Sequence, residues 1–460
     1  MNSLKRPADQ VVISPNVRRP RLTVEENSSA EPAISEEDQT WAQAQEEIEA
    51  LSAASLDLYV CFLSAISLIR RHFTENDDIR EKTALKFRTS FDVDAEKWEC
   101  YLSHPSIATT FESGLFSHES TATCWAAFVA CKELQLECPN IGSTVTNLPT
   151  DAIAYVGEKI MKMIYGMEGF VNMPHSEEGE LTQRRDKKLC NVHLHSCAED
   201  LAVATFFRGN SSRSKHVARF VRTVVGCAYY RGKMSLALVV VSGIIGPMTD
   251  IATWEDFAHL NNQIPSRRVP ASIPKEEMEM IEGFLGYVFV RKAVIEEALT
   301  HESMPAPTEN DATERTGSKA KSSYERLEFL GDAVLDFIAV MYWLERDMLA
   351  TEGTLRKRIK ESVNNKALGA LCIELGLYKP LRHTRLYQSI LSGKQAVEGA
   401  EKFPKYWNRL DIPKIGFADV IESIFGAILV DSRFNLQDTQ RLFDRIVRPF
   451  CMFHFPTAFV

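Results

Sequence analysis

The sequence predicts a mainly helical protein in which a small α-β-β-β-α domain precedes two tandem all-helical units. Apolar residues recur at helical spacing through most of 151–262 and again from 275 to about 450. Short segments with partial alternation of apolar and polar residues are confined to about 84–113. In addition, the earlier helical unit repeats the apolar and glycine pattern of the later one.

Composition restricts the class of protein. The chain has 460 residues, which suits about two to four domains, and its 45% hydrophobic and 25% charged content is ordinary for a soluble globular protein. A net charge of −9 predicts that any face for nucleic acid is local. Because the ten cysteines show no CxxC pair, we expect reduced thiols in an intracellular protein, not zinc ligands or disulfides. Apolar runs such as 235–246 are too short to span a bilayer, so no membrane is expected, and the N-terminus lacks a secretory signal.

Residues 1–45 are rich in Pro, Ser, Glu and Arg and lack apolar periodicity, which predicts a disordered tail. Basic clusters at 5–6 and 18–21, separated by eleven residues, have the spacing of a bipartite nuclear import signal. A basic tail that no receptor reads would look the same. The predicted location is therefore the nucleus, with the cytoplasm as the alternative.

An ordered domain is predicted over 53–137, followed by a loop at 139–150. Its predicted elements are a helix over 55–73, strands over 84–91, 97–103 and 106–113, and a helix over 121–135. This order is the layout of double-stranded-RNA-binding folds.

Two helical units are predicted to follow, over 151–262 and 275–455. The polar stretch 261–274 is predicted to link them, and residues 304–322 to form a flexible insertion in the second unit. The sequence predicts no further domain after the second unit.

Acidic residues stand at helical spacing inside apolar segments at 324–336 and 416–431. The acids in question are Glu328 and Asp332 in the first segment and Asp419 and Glu422 in the second. Spacings of four and three residues put each pair on one helix face. Burying like charges together is costly unless a cation neutralises them, and Mg²⁺ prefers oxygen ligands. Two amphipathic helices with solvent-exposed acids are the alternative, but Gly331, Gly426 and the unbroken apolar context favour burial.

Residue for residue, ERLEFLGDAVLD at 325–336 resembles the signature of the ribonuclease III family. Further fragments resemble that family in the same order, namely FLGYVF at 284–289, EALTHES at 297–303, EGTLRKRIKESVNNKAL at 352–368 and ADVIESIFGAILVD at 418–431. The resemblance covers about 275–450 and implies an all-helical ribonuclease III-type domain. It also implies hydrolysis of double-stranded RNA to 5′-phosphomonoesters with Mg²⁺, or with Mn²⁺ in its place. The metal-binding catalytic acids that it implies are Glu328, Asp332, Asp419 and Glu422.

The same resemblance implies supporting residues. Glu325 and Glu352 correspond to supporting acids near the subunit interface and the RNA, and Asn365 corresponds to a structural position in the middle helices. The segment PKIGFAD resembles the Pro-Lys segment that precedes the last acid pair in Dicer-type second ribonuclease domains. Lys414 would then contact a phosphate, although it stands five residues before Asp419, one more than that pattern has.

The earlier helical unit resembles a degenerate copy of the later one. IAYVGEKIMK at 153–162 aligns with 327–336, and ARFVRTVVGCAYYRG at 218–232 aligns with 418–432, with both glycines kept. The four catalytic places hold Ala154, Glu158, Arg219 and Arg222. The signed charge of these places changes from −4 to +1, and a guanidinium group does not ligate metal. The first unit is therefore predicted to lack a metal site.

Two interpretations of this first unit stay open. In one, Glu158 pairs with Arg219 or Arg222 in place of the metal, and the spare positive charge, with Lys159 and Lys162, holds an RNA phosphate. In the other, the unit is a structural half that only completes the dimer interface.

Residues 53–137 resemble the Dicer dimerisation domain in their two helices, with an unrelated small α+β domain as the alternative. The order of dimerisation domain, degenerate unit and intact unit resembles a reduced, fungal-type Dicer-like protein. It departs from that family because we find no GxxxxGK[ST] helicase motif, no room for a PAZ domain between 137 and 151, and no double-stranded-RNA-binding domain after 455.

The resemblance implies an endoribonuclease of double-stranded RNA in RNA silencing or RNA processing. Intramolecular pairing of the two units would leave one live site and produce nicks, whereas a homodimer paired through its intact units would make a staggered double cut. The competing class is a non-catalytic dsRNA-binding or regulatory subunit of a silencing complex. A dsRNA-binding protein as partner, missing domains supplied in trans, and a truncated gene product also stay open.

Overall fold

The structure is a computed structural model, and it describes most of the chain after residue 61. The described residues are 62–63, 65–70, 85–103, 110–113, 115–116, 119–134, 136, 150–199, 214–246, 248–264, 272–305, 323–413 and 416–456. The predicted tail with its import signal, residues 139–149 of the predicted loop, residues 306–322 of the predicted insertion, and Lys414 lie outside the described residues. The location in the nucleus or cytoplasm stays a prediction.

The small N-terminal domain has the predicted order of elements over its described residues. Its elements are helical residues at 62–63 and 65–70, strands β1 (Lys86–Asp92), β2 (Lys97–Ser103) and β3 (Thr110–Glu112), and helix α1 (Glu119–Glu133). The strands form one antiparallel sheet in the order β1-β2-β3, with Leu102 opposite Phe111. Cys100 and Leu102 are buried at alternate positions of β2, so one face of the sheet packs on α1.

The first helical unit is built around two long helices. Its helices are α2 (Thr150–Asn172), α3 (Glu178–Leu189), α4 (Asn191–Glu199), α5 (Ser214–Ile245) and α6 (Trp254–Gln263). Helix α2 packs on α5, which has non-helical backbone angles at Gly232 and Lys233. The predicted start of the linker is wrong, because α6 continues to Gln263. Asn261 in this helix is buried and donates a hydrogen bond to the carbonyl of Val430 at 2.7 Å.

Most of the apolar run 235–246 forms the second part of α5, after the non-helical backbone at Gly232 and Lys233. That run lies within a 32-residue helix that is long and apolar enough, by length and composition, to cross a membrane. However, 56% of its most apolar window is buried inside the protein. A core helix passes the same test, so the length of α5 is weak evidence for a membrane span.

The second helical unit surrounds two buried helices, α9 and α13. Its helices are α7 (Lys275–Leu285), α8 (Lys292–Ala298), α9 (Glu325–Arg346), α10 (Glu352–Ser362), α11 (Asn365–Leu375), α12 (Tyr387–Glu398), α13 (Phe417–Asp431), α14 (Leu436–Leu442) and α15 (Arg448–His454). Nearly all of α13 is buried, which explains why its apolar residues occupy every face of the helix. The mainly helical fold class is confirmed, and the exact domain boundaries stay predictions.

Helices α9 and α13 approach each other at a reciprocal pair of glycines. A Cβ added to Gly331 would lie 1.7 Å from the carbonyl oxygen of Glu422. A Cβ added to Gly426 would lie 2.0 Å from the carbonyl oxygen of Leu327. No side chain fits at either position, so the two backbones are in direct contact.

The first unit repeats this contact between α2 and α5. A Cβ on Gly157 would lie 1.8 Å from the carbonyl oxygen of Arg222, and one on Gly226 would lie 2.3 Å from that of Ile153. The helix pair that carries the acids in the second unit therefore has a counterpart with the same backbone contact in the first.

The two units contact each other through α2 and α9. A Cβ on Gly166 of α2 would lie 3.7 Å from the ring of Phe329 in α9, which is ordinary packing distance. Arg326 of α9 is buried, and its guanidinium donates hydrogen bonds to backbone carbonyls at the end of α2. The acceptors are Phe170 at 3.0 Å, Met173 at 2.9 Å and Ser176. One side chain of the second unit therefore satisfies the unpaired end of a helix in the first.

We predict that Gly331→Ala lowers the free energy of unfolding by about 2 kcal/mol or more, since overpacking of this kind costs about 1–3 kcal/mol. Denaturant unfolding of the full chain would measure the change. Gly283→Ala in α7 is the matched control, because a Cβ there meets nothing within 4 Å. That control should be neutral or stabilising by up to about 1 kcal/mol. Equal stability of the two variants would contradict the backbone contact.

Candidate active site

Three of the four predicted acids converge where α9 meets α13. Carboxylate oxygens of Glu328, Asp419 and Glu422 all lie within 4.8 Å of one another. The glycine contact explains this convergence, because the backbone carbonyl of Glu422 itself lies against Gly331. The side chains that the sequence placed on two separate helix faces therefore share one pocket of negative charge.

Asp332, the fourth predicted acid, is turned toward the first unit. Its Oδ2 lies 2.7 Å from the Nζ of Lys162 in α2, and its side chain is 42% exposed. It still acts on the cluster, because after burial its charge is the largest contribution that raises the pKa of Glu422. The structure thus brings three of the acids together and holds the fourth at their edge on a lysine.

Burial raises the pKa of each clustered acid, and repulsion between the acids raises the pKa of Glu328 and Glu422 further. Burial, followed by the charges of Asp419 and Glu178, raises the pKa of Glu328 to about 8. Burial, followed by Asp332, raises the pKa of Glu422 well above its ordinary value. Burial also raises the pKa of Asp419. Without a cation, the cluster therefore tends to retain protons near neutral pH.

Tyr324 and His301 support Asp419, and the sequence did not identify either residue. The hydroxyl of Tyr324 donates a hydrogen bond to Asp419 Oδ2 at 3.0 Å, which lowers the pKa of Asp419 against the effect of its burial. The ring of His301 meets that of Tyr324 edge to face at 5.5 Å. His301 lies in the EALTHES motif and Tyr324 directly before the acidic signature, so proximity to those motifs was the available signal.

The first unit contributes an acid, Glu178, to the surroundings of this site. Glu178 is the first residue of α3, and its charge raises the pKa of both Glu328 and Glu325 in addition to the larger effect of burial. Glu325 also has Glu302 beside it, which raises its pKa further. Sequence analysis missed Glu178 because it lies in the other helical unit.

Glu352, a predicted supporting acid, lies at the contact between the units but beside the degenerate site. Its backbone N–H donates to Asp151 Oδ2 at 3.1 Å. Its carboxylate pairs with Arg356 at 2.8 Å and with Arg219 of the first unit at 3.3 Å.

Asn365 is the exposed first residue of α11, where the sequence predicted a structural role. The residue that caps this helix is the preceding one, Asn364. Its side chain accepts hydrogen bonds from the backbone N–H groups of Lys366 at 2.9 Å and Ala367 at 3.1 Å.

The predicted ion pair of Glu158 with Arg219 or Arg222 is wrong. Glu158 instead pairs at 2.8 Å with Arg356, which α10 of the second unit supplies. The guanidinium of Arg222 donates to Asn191 Oδ1 at 3.0 Å and to the carbonyl of Leu189 at 3.1 Å. Ala154, in the remaining place, is buried. The charged residues at these places thus all pair with groups outside the set of four.

Lys159 and Lys162, which were predicted to add charge for an RNA phosphate, are engaged within the protein. Both ammonium groups lie 2.8 Å from Asp336 Oδ2. Their side chains are only 12% and 19% exposed. The expectation that they bind phosphate is therefore wrong in this arrangement, because both cations already hold a carboxylate.

The cluster has the properties of a site for a hard dication. Its donors are all carboxylate oxygens, which Mg²⁺ and Mn²⁺ accept as ligands. Burial raises the pKa of Glu328, Asp419 and Glu422, and repulsion adds to this rise at the two glutamates. A bound cation would offset both effects. The residues present therefore fit the metal that the family resemblance implies.

Comparison with known proteins shows which sequences and structures this chain is similar to. Residues 325–433 match the family model described as Ribonuclease III domain. The chain is 26% identical over 329 residues to Protein Dicer of Schizosaccharomyces pombe, covering 64% of this chain and 23% of that protein. It is 24% identical over 346 residues to Dicer-like protein 1 of Aspergillus fumigatus, covering 65% of this chain and 22% of that protein. A crystal structure of Dicer from Giardia intestinalis aligns with a TM-score of 0.41 and 12% identity, covering 65% of this chain and 54% of that one.

Residues 325–433 are thus a ribonuclease III domain, and they contain the convergent acids. Over the matched residues the chain is similar to ribonuclease III proteins, among them the Dicer and Dicer-like proteins of fungi. It spans less than a quarter of the length of these two curated relatives, 23% and 22% respectively.

We predict that Glu328→Gln stabilises the metal-free protein near pH 8. The native pKa of about 8 lies above the unfolded value of 4.5, so the native state binds the extra proton between these values. The contribution of this carboxyl to the free energy of unfolding is therefore lost as pH rises through that range. Glutamine cannot ionise, so the variant does not undergo this loss. Each pKa unit corresponds to about 1.4 kcal/mol, so after solvent screening we expect a gain on the order of 1–3 kcal/mol near pH 8.

Thermal unfolding in a chelator at both ends of this pH range would measure the effect. Near pH 4.5 the variant and the native chain should differ by less than about 0.5 kcal/mol, because the native carboxyl is then protonated and the unfolded one is already half protonated. Added Mg²⁺ should stabilise the native chain more than the variant. A variant that is less stable than the native chain near pH 8 would refute the repulsive cluster.

Proposed function

We propose that the chain is a Mg²⁺-dependent endoribonuclease that hydrolyses double-stranded RNA through its second helical unit. The observation that carries this proposal is the convergence of Glu328, Asp419 and Glu422 inside the ribonuclease III domain. The proposed setting is RNA silencing or RNA processing, in line with the likeness to Dicer proteins.

In this proposal, Glu328, Asp419 and Glu422 would hold the cation, with Asp332 at their edge. Bound Mg²⁺ would supply the Lewis acid for phosphodiester hydrolysis, which leaves a 5′-phosphate. Tyr324 keeps the Asp419 carboxylate oriented through its hydroxyl hydrogen bond. Because Glu422 is only 9% exposed, its charge acts in a poorly screened environment. Mn²⁺ would be accepted for the same coordination chemistry.

The proposed substrate follows from the shape of the nucleic acid. A-form RNA is recognised through its backbone and 2′-hydroxyl groups across a shallow minor groove, with little dependence on sequence. A net charge of −9 requires that the contacts with phosphates are local. Activity on double-stranded RNA, any dsRNA-binding protein partner and the cellular role are therefore proposals for this chain.

We further propose that one chain has one live site and nicks its substrate. Where the second unit has acids, the first unit has Ala154 and the arginines Arg219 and Arg222. Both arginines already pair with other groups of the protein. Its Lys162 aligns with Asp336 in the repeat and contacts that residue across the interface. If the second units of two chains paired in the same geometry, Asp336 of one chain would lie against Asp336 of the other. Charge complementarity therefore favours pairing within one chain over a homodimer of intact units.

A non-catalytic, dsRNA-binding or regulatory role is the second candidate function. The observation that favours it is the hold of Lys162 on Asp332, because this ion pair partly neutralises the site without a metal. Duplex RNA binding without cleavage in either Mg²⁺ or Mn²⁺ would establish that role.

We predict that the native chain cleaves long duplex RNA in Mg²⁺ and that Glu422→Gln and Asp419→Asn each reduce the rate by at least about a hundredfold. The first unit cannot rescue these variants, since it lacks the acids. Single-turnover cleavage of labelled duplex is the measurement. Glu279→Gln makes the same chemical change at an exposed position of α7 and should retain full activity. Mg²⁺-dependent cleavage that survives in both site variants would show that the acids do not carry the reaction.

We also predict that early products are nicked and not shortened. Aliquots should show cut strands on a denaturing gel while the duplex keeps its full length on a native gel, because one site cuts one strand at a time. Light scattering of the same sample should report a monomer. Simultaneous shortening on both gels by a monomeric protein would reject the single-site proposal.

A further inference from the structure

Lys162 connects the first unit to the acids of the second. Its ammonium lies 2.7 Å from Asp332 Oδ2 and 2.8 Å from Asp336 Oδ2. Lys159, one turn earlier on α2, contacts Asp336 at 2.8 Å. The cluster is therefore a chain of alternating charge that runs from α2 to the edge of the acidic site.

The position of Asp332 follows from this contact. The oxygens of the other three acids lie within 4.8 Å of one another, and Asp332 is not in that group. Its carboxylate instead faces the lysine, although the helical spacing puts it on the same side of α9 as Glu328. In this arrangement Asp332 therefore forms its ion pair with the ammonium group of Lys162, which belongs to the first unit.

Lys162 can release Asp332 without leaving another charge unpaired. Asp336 has a second partner in Lys159, and its side chain is only 14% exposed, so its burial depends on at least one cation. Asp332 is 42% exposed, so solvent can compensate it during an exchange of partners. The ion pairs at Asp336 are therefore the more buried ones, and the ion pair at Asp332 is the more accessible to solvent.

We propose that Lys162 is a positioning residue of the intact site: its ammonium holds Asp332 apart from the other three acids and competes with the divalent cation for it. This inference rests on the proposed metal-dependent function. It implies that pairing of the units sets the metal affinity of the second unit, because α2 supplies the competing charge. The degenerate unit is thereby a regulator of the site as well as a structural partner.

The test is direct binding of Mn²⁺ to the full chain, followed by the electron paramagnetic resonance signal of free Mn²⁺. Lys162→Met keeps the length of the side chain but removes its charge, and Asp336 keeps Lys159. We expect the dissociation constant for Mn²⁺ to fall about tenfold, since a unit charge a few ångströms away acts strongly on a dication. Lys162→Gln should produce the same shift if methionine disturbs the packing.

Lys159→Met is the matched control. It removes the same charge from the same helix and the same acid, but Lys159 makes no ion pair with Asp332 among the described residues. We expect its Mn²⁺ affinity to stay within about twofold of the native value. Thermal melting of all variants without metal would show that each is folded.

Three results would overturn the inference: an unchanged affinity in Lys162→Met and Lys162→Gln, a weaker affinity in them, or an equal gain in Lys159→Met. A weaker affinity would mean that Lys162 orients Asp332 for the metal. If the proposed metal site itself is absent, the result is different. The native chain and Glu422→Gln would then bind the same amount of Mn²⁺.

Discussion

The direct backbone contact between α9 and α13 at Gly331 and Gly426 is the constraint on which the site depends. It brings the carbonyl of Glu422 against the opposite helix and so fixes where that side chain begins. Acids on two helices far apart in sequence can then share a small volume. A larger residue at either glycine would separate the helices and with them the charges.

The two units are similar in backbone and complementary in charge. Acids of the second unit face lysines of the first at Asp332 and Asp336, and an arginine of the second faces Glu158 of the first. Partly buried ion pairs of this kind give orientation and choice of partner more than net stability. The residues in which the first unit differs from the second therefore also form part of the interface.

The sequence was sufficient to predict those features that depend on the spacing of residues within one helix or strand. It predicted the helical units, the three strands and the acids on α9 and α13, because spacing along one element is visible in one dimension. Contacts between units were not predictable in this way, so Glu178 was missed, Lys162 was assigned to an RNA phosphate, and Glu158 was given the wrong partner. Its partner in the structure, Arg356, is 198 residues away in sequence. The extension of α6 to Gln263 was missed because Asn261 is a polar residue buried by a hydrogen bond across the interface.

The glycine contact in the first unit bears on how such a protein can change over time. Gly157 and Gly226 still bring α2 and α5 together, although none of the acid set except Glu158 remains. Scaffold and chemistry are thus encoded by different residues that scarcely overlap. A duplicated unit of this type can lose its reaction in a few substitutions at solvent-facing or pocket-facing positions and still fold, whereas a single exchange of a contact glycine would disturb the scaffold and the site together. Natural selection can in this way convert an enzyme half into a structural companion without passing through an unfolded ancestor.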